Sequence, residues 1–380
     1  MLKRLHYFIC STLLLSAQLT LAQETTTRVY IASGQDGIYS CELNQSEGTL
    51  TPPILRSKLT GAGFLAWHPR QNRLYATATL DPAKKKQGQS GGVIAFAPQA
   101  DGSLTELNRQ STMGRGLCHI STDTSGNMLM GADYGGGRVV SFQMQSDGQL
   151  GRLTSIHQHK GSGSHPKRQT RAHAHSIYPG PENRYAYAAD LGIDQVIHYE
   201  MTPKAGTLKR IADTKLPSGS GPRHMKFGKN GNMLYVLNEL NTSVSVFKRI
   251  KATGKLEARQ SLSMFADGTD NTDMTSSEIQ ISPDGRFLYC ATRDLSQQQR
   301  DAISVFEVQK DGLLKRIQTI HPGVWFPRHI QLAPSGTFLL VAGQRGNEVS
   351  IMKIDQGKGT LKEAHQRIPL PTPMCISFQP

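Results

Sequence analysis

Cysteine occurs five times and tryptophan twice in 380 residues, and no two cysteines stand in a Cys-x-x-Cys pair. Without that spacing the chain offers neither a zinc-finger ligand set nor a dithiol redox motif. No Gly-x-Ser-x-Gly element is present, which removes the strand–turn–helix serine nucleophile. No stretch shows sustained helical periodicity. Beyond the first two dozen residues no apolar run is long enough to cross a bilayer. Negative charge is also in short supply: 43 Lys and Arg face 29 Asp and Glu, a formal net charge of +14. The positive field favours anionic ligands. The basic residues are scattered, apart from Lys84-Lys85-Lys86 in a loop-like stretch, and that pattern excludes nucleic acid as the expected partner.

The N-terminus carries Lys3 and Arg4, then an interrupted apolar run, then Thr20-Leu21-Ala22 before Gln23. This order predicts a signal peptide over residues 1–22, a mature domain over 23–380, and an exported, periplasmic or secreted protein without stable membrane insertion. Cys10 falls inside the leader. Cys41, Cys118, Cys290 and Cys375 are far apart, the last three within apolar strand-like runs, so buried free thiols are expected and no required disulfide.

What the chain does have is a repeat. Stretches such as HMKFGKNGNMLYVLNEL (residues 224–240) follow one pattern: a short apolar strand, a Gly-containing turn, and a second strand with tyrosine near its centre. Second-strand anchors fall at Tyr30, Tyr75, Met130, Tyr187, Tyr235, Tyr289 and Leu340, 45 to 57 residues apart. Four-stranded repeats of that length predict an all-β, seven-bladed β-propeller. The chain ends in PTPMCISFQP, which reads as the first strand of a repeat. It begins with RVYIASGQDGIYSCEL, which reads as a second and third strand. Pairing of the N- and C-terminal strands would complete one blade and close the ring.

In a hairpin, the start of the first strand lies beside the end of the second. Arg223 and Glu239 occupy those two places in one repeat. His173 and His175 face Asp190 in the repeat before it, His119 faces Asp133 in an earlier one, Glu278 faces Arg293 in the next, and Arg328 and His329 face Gln344 and Arg345 in the sixth. A ring brings such hairpin mouths to one rim. The types gathered there suit an anion site, because arginine binds carboxylate and phosphate with two prongs.

Across nearly all of the mature chain the sequence resembles the seven-bladed lactonase family, which includes propeller-type 6-phosphogluconolactonases and carboxy-cis,cis-muconate lactonising enzymes. The resemblance is carried by GSGSHPKRQTRAHAHS, AADLGIDQV, GPRHMKF, LYVLNEL, SEIQISPDGRFLYCATRD and FPRHIQLAPSGTFLLVAGQ. It implies a catalytic quartet of His175, Arg223, Glu239 and Arg293. His173, Asp190, Glu278, Arg328 and Gln344 are then expected to bind substrate around it. The implied activity is metal-independent hydrolysis of a small anionic or sugar-derived lactone, without a cofactor. Two alternatives stay open: a muconate-type cycloisomerase, and a non-catalytic propeller that binds carbohydrate or cell envelope. His157, His159, His165, His173 and His175 offer His-x-His spacings. Lys160, Lys167, Arg168 and Arg171 between them repel a cation, so a basic loop leaning over the funnel is expected there, not a metal centre. Oligomeric state is left undetermined.

Overall fold

The computed structural model describes residues 26–380, so the leader read over 1–22 lies outside the described residues. Seven antiparallel sheets surround a common axis. Blade 1 begins at Leu65–Trp67, blade 2 at His119–Thr122, blade 3 at Ala174–Pro179, blade 4 at Pro222–Phe227, blade 5 at Met274–Ile281 and blade 6 at Pro327–Leu332. Blade 7 starts with the C-terminal strand Pro373–Phe378, which pairs with Thr26–Ser33 from the other end of the chain. The register sets Ala32 opposite Cys375 and Tyr30 opposite Ser377, the closure expected from the broken terminal repeat. The first strands of successive blades touch in a closed ring.

Burial falls off outward, and the sequence of each strand follows it. Second strands such as Phe287–Asp294 are buried on both faces and read as continuous apolar runs. Outermost strands such as Lys255–Ser263 are mostly exposed, with only Leu256, Gln260 and Leu262 half-buried, and read as largely polar. The core is divided among the inter-blade seams. Tyr235, Leu237, Val244 and Val246 of blade 4, for example, pack on Ile279, Leu288, Cys290 and Phe306 of blade 5.

One polar contact recurs at every seam. The hydroxyls of Tyr30, Tyr75, Tyr187, Tyr235 and Tyr289 donate to the carbonyls of Gly102, Gly148, Gly254, Gly312 and Gly359 in the following blade, at 2.7 to 3.1 Å. Where the second-strand anchor is Met130 or Leu340, another side chain of the blade takes over. Ser141 Oγ donates to Gly206 O at 2.7 Å, and His365 Nε2 meets Gly48 O at 2.7 Å. All seven glycines have φ between +70° and +84°, a conformation that other residues adopt only under strain.

Replacing Tyr289 by Phe leaves the buried Gly359 carbonyl without its partner. We expect a loss of about 1–3 kcal/mol in urea unfolding. An unchanged midpoint would show that the seam bonds do not hold the blades together.

Candidate active site

The inner strands of blades 2 to 6 carry their axial side chains in two tiers, placed relative to one buried apolar residue in each: Ile120, Ile177, Met225, Ile279 and Ile330. In blades 2, 3, 4 and 6 the residue two before it lines or adjoins the upper mouth: Cys118, His175, Arg223 and Arg328. In blades 2, 4, 5 and 6 the residue one before it lies in the tier below, His119, His224, Glu278 and His329, whereas Ser176 and Ser277 donate to the Arg223 and Pro327 carbonyls of the next blade. In blades 3, 4 and 6 the strand pairing skips a residue at this point, and the skipped residues are His175, Arg223 and Arg328. A bulge of this kind re-aims one side chain out of the regular alternation. Here it turns those three side chains toward the axis.

The upper tier opens into a cleft of about 440 Å³ lined by Cys118, Tyr134, Arg168, His175, Glu239, Thr275, Arg293, Leu295, Phe326 and Arg328. Glu239 is its electrostatic centre. Oε2 accepts from Arg223 Nε at 2.9 Å, and Oε1 accepts from Arg168 Nη2 at 2.7 Å and lies 3.2 Å from Arg293 Nη2. His175 Nε2 stands 3.7 Å from Oε2. Arg223 is also bound to the Ser277 carbonyl, and Arg293 to the Ser276 carbonyl at 2.9 Å. Phe326, in a left-handed backbone conformation at φ 61°, packs its ring between Arg293 and Arg345.

These neighbours set the protonation states. Burial pushes the Glu239 carboxyl upward, but the charges of Arg293, Arg223 and Arg168 outweigh it and hold the group well below the usual carboxylate range. Burial drives His175 well below 6.5, and the charge of Arg223 adds to that, so the imidazole is neutral at pH 7. Burial also lowers Arg293 to about 9 and Arg328 to about 10, which leaves both cationic at neutral pH. The Cys118 thiol is pushed up to about 12 by burial and keeps its proton, so it is no nucleophile.

His175, Glu239, Arg293 and Arg328 thus meet in one cleft. Arg223 joins them through Glu239 but is itself 2% exposed and lies behind the carboxylate. His173, Asp190, Glu278 and Gln344 are not brought into the cleft. Asp190 is fully buried and accepts from the His173 and Gly192 amides and meets His159 Nδ1 at 2.6 Å. Asp133 and Asp294 end their second strands in the same way, each bonding the amides of adjoining loop residues. The type recurs because the turn needs a cap. The His173 ring stacks on Tyr134 at 4.4 Å, its Nδ1 meets the Tyr134 carbonyl at 2.9 Å, and it does not line the cleft. Glu278 belongs to the lower tier, where it meets His224 at 2.8 Å and His329 at 3.4 Å. The Gln344 amide is tied to the Phe326 carbonyl outside the cleft.

Tyr134, Thr275, Leu295 and Phe326 line the cleft without having been singled out from sequence, and Arg168 was expected only as part of a basic loop over the funnel, not as a partner of Glu239. Tyr134 follows its second strand just as Glu239 follows its own, so repeat register pointed to it, one place beyond Asp133. Arg168 comes from the loop between blades 2 and 3, which has no counterpart in the repeat.

Glu239→Gln would leave Arg223 and Arg293 buried without a counter-charge. We expect a loss of about 3–5 kcal/mol in denaturant unfolding at pH 7. A loss below about 1 kcal/mol would mean that the carboxylate does not organise the cleft.

Comparison with known proteins agrees with this architecture. The family model described as lactonase, 7-bladed beta-propeller, matches residues 25–378. The 6-phosphogluconolactonase of Bacillus subtilis (strain 168) is 32% identical over 352 residues, covering 92% of this chain and 96% of its own length. That of Formosa agariphila is 29% identical over 337 residues, 87% of this chain and 92% of its own. A crystal structure from Bacteroides fragilis NCTC 9343 is 28% identical and superposes with a TM-score of 0.84 over 94% of this chain and 99% of that one. The chain therefore belongs to the seven-bladed β-propeller lactonase family, and it is a lactonase.

Proposed function

We propose that the protein hydrolyses a sugar lactone that carries an anionic substituent, as the name of its 6-phosphogluconolactonase relatives describes, and that the axial cleft is where it does so. The observation that carries this reading is the charge imbalance of the cleft. Four arginines face one carboxylate; Glu239 is occupied by Arg168, Arg223 and Arg293, and Arg328 has no anionic partner among the described residues. A desolvated guanidinium without a counter-ion calls for an anion from the ligand.

In this reading His175 is the general base. Glu239 is held so far below the usual range that it is a poor proton acceptor, whereas the neutral imidazole has a free lone pair. A water attacks the lactone carbonyl carbon as His175 takes its proton. Glu239, 3.7 Å away, stabilises the imidazolium that forms. The oxyanion develops beside Arg293, and Arg328 holds the anionic substituent. Collapse breaks the ring C–O bond, and the imidazolium returns the proton to the leaving alkoxide, releasing the open hydroxy acid. Arg223 positions Glu239. The leader over residues 1–22 would place this reaction outside the cytoplasm; N-terminal sequencing of the native protein should then begin at Gln23.

The test is hydrolysis of 6-phosphoglucono-δ-lactone and of unphosphorylated glucono-δ-lactone by the mature protein. We expect His175→Ala to lower kcat by about 10²–10⁴-fold. Arg328→Lys should raise KM for the phosphorylated lactone, because the charge stays but the fork is lost. Wild-type kinetics in both variants would remove these residues from the mechanism. Failure of the wild type to hydrolyse either lactone would overturn the substrate assignment.

A further inference from the structure

Arg168 differs from the other arginines of the cleft in how it is held. Arg223 and Arg293 are nearly inaccessible, and each is pinned by a backbone carbonyl as well as by Glu239. The Arg168 side chain is 34% exposed, and its only partners among the described residues are Glu239 Oε1 and the Tyr134 hydroxyl, at 3.2 Å. Its backbone, by contrast, is fixed. Gln169 is fully buried, donates to Leu191 O at 2.8 Å and to Asp194 Oδ1 at 2.7 Å, and accepts from the His165 amide at 2.9 Å. The Arg168 amide itself donates to His165 Nδ1 at 3.3 Å. Asp190 ties both ends of the same loop through His159 and the His173 amide. The result is a partly exposed guanidinium held only through side-chain contacts, on a backbone fixed at several points.

Glu239 can release it without being stripped of charge partners. Oε1 would keep Arg293 at 3.2 Å, and Oε2 would keep Arg223 at 2.9 Å. Arg168 and Tyr134 approach the cleft from blades 2 and 3, whereas Arg293, Phe326 and Arg328 approach from blades 5 and 6. An anionic group in the cleft would therefore meet two guanidinium forks from two sides.

We propose that Arg168 is the specificity residue of the site: when substrate binds, its guanidinium exchanges Glu239 Oε1 for the anionic substituent of the lactone, and it returns to Glu239 when product leaves. The proposal rests on the anionic-lactone reading above. The exchange gives the site selectivity at little cost. An uncharged lactone leaves Arg168 on Glu239 across the opening, while a phosphorylated one draws it into a two-arginine clamp with Arg328. Because the loop backbone stays put, only side-chain rotation is needed, and little ordering entropy is spent on binding.

The experiment compares wild type, Arg168→Gln and Arg168→Lys on 6-phosphoglucono-δ-lactone and glucono-δ-lactone, with calorimetric binding of inorganic phosphate as a second readout. The ratio of kcat/KM for the charged over the uncharged lactone should fall at least about tenfold in Arg168→Gln, mainly through KM. Arg168→Lys should lie between, since it keeps charge without the fork. A merely structural role would lower both lactones together and leave the ratio alone. A ratio within about threefold of wild type in Arg168→Gln overturns the proposal. If the wild type hydrolyses neither lactone, the functional reading fails by itself, and phosphate affinity decides on Arg168. A tenfold weakening in Arg168→Gln supports its role as the anion contact, and an unchanged affinity ends it.

Discussion

A donor on one blade reaching the carbonyl of a left-handed glycine on the next is the contact on which the ring depends. It is made seven times, five times by tyrosine, once by Ser141 and once by His365. Hydrophobic burial drives the blades together but is not directional. The hydrogen bond sets where one blade sits against its neighbour. That setting matters at the axis, because His175, Arg223, Glu239, Arg293 and Arg328 belong to four different blades, and ion-pair distances of 2.7 to 3.7 Å leave little room for one blade to shift. The outer seam thus holds the inner site in geometry.

The fold was legible because that seam leaves a mark in the sequence. The central tyrosine of five second strands and the glycine turns gave the repeat, and the split terminal repeat gave the closure. Met130 and Leu340 mark the two seams where the donor had moved to another strand. The site was legible in part, and the limit was register. Hairpin mouths located the rim, but a bulge decides whether a residue there faces the cleft or the tier below. Arg328 and Glu278 look alike in sequence, and a single-residue offset sends one into the cleft and the other toward His224 and His329. Asp190 recurred for a different reason from Glu239: it caps a turn. Arg168 lay on a loop with no repeat to compare, so only its contacts reveal it.

The chemistry follows from crowding positive charge around one carboxylate. Three arginines keep Glu239 ionised and spend its basicity. The same positive field, with burial, keeps His175 neutral, so the cleft holds a proton acceptor beside a fixed anion able to stabilise its protonated form. In the proposed reaction the excess of arginine over carboxylate would select for an anionic ligand, and the buried Cys118 thiol, pushed up to about 12, keeps its proton. The formal net charge of the full sequence, +14, would favour the approach of such a ligand.

The claim at the centre is that His175 enters the reaction as a neutral base beside an arginine-saturated glutamate. Nitrogen-15 NMR of the His175 imidazole, titrated from pH 8 to pH 4, tests it most directly. A pKa depressed by burial and by Arg223 predicts an imidazole that is still neutral at pH 6, where an unperturbed histidine would be mostly protonated. Protonation of His175 with a midpoint at about 6.5 or above would contradict it.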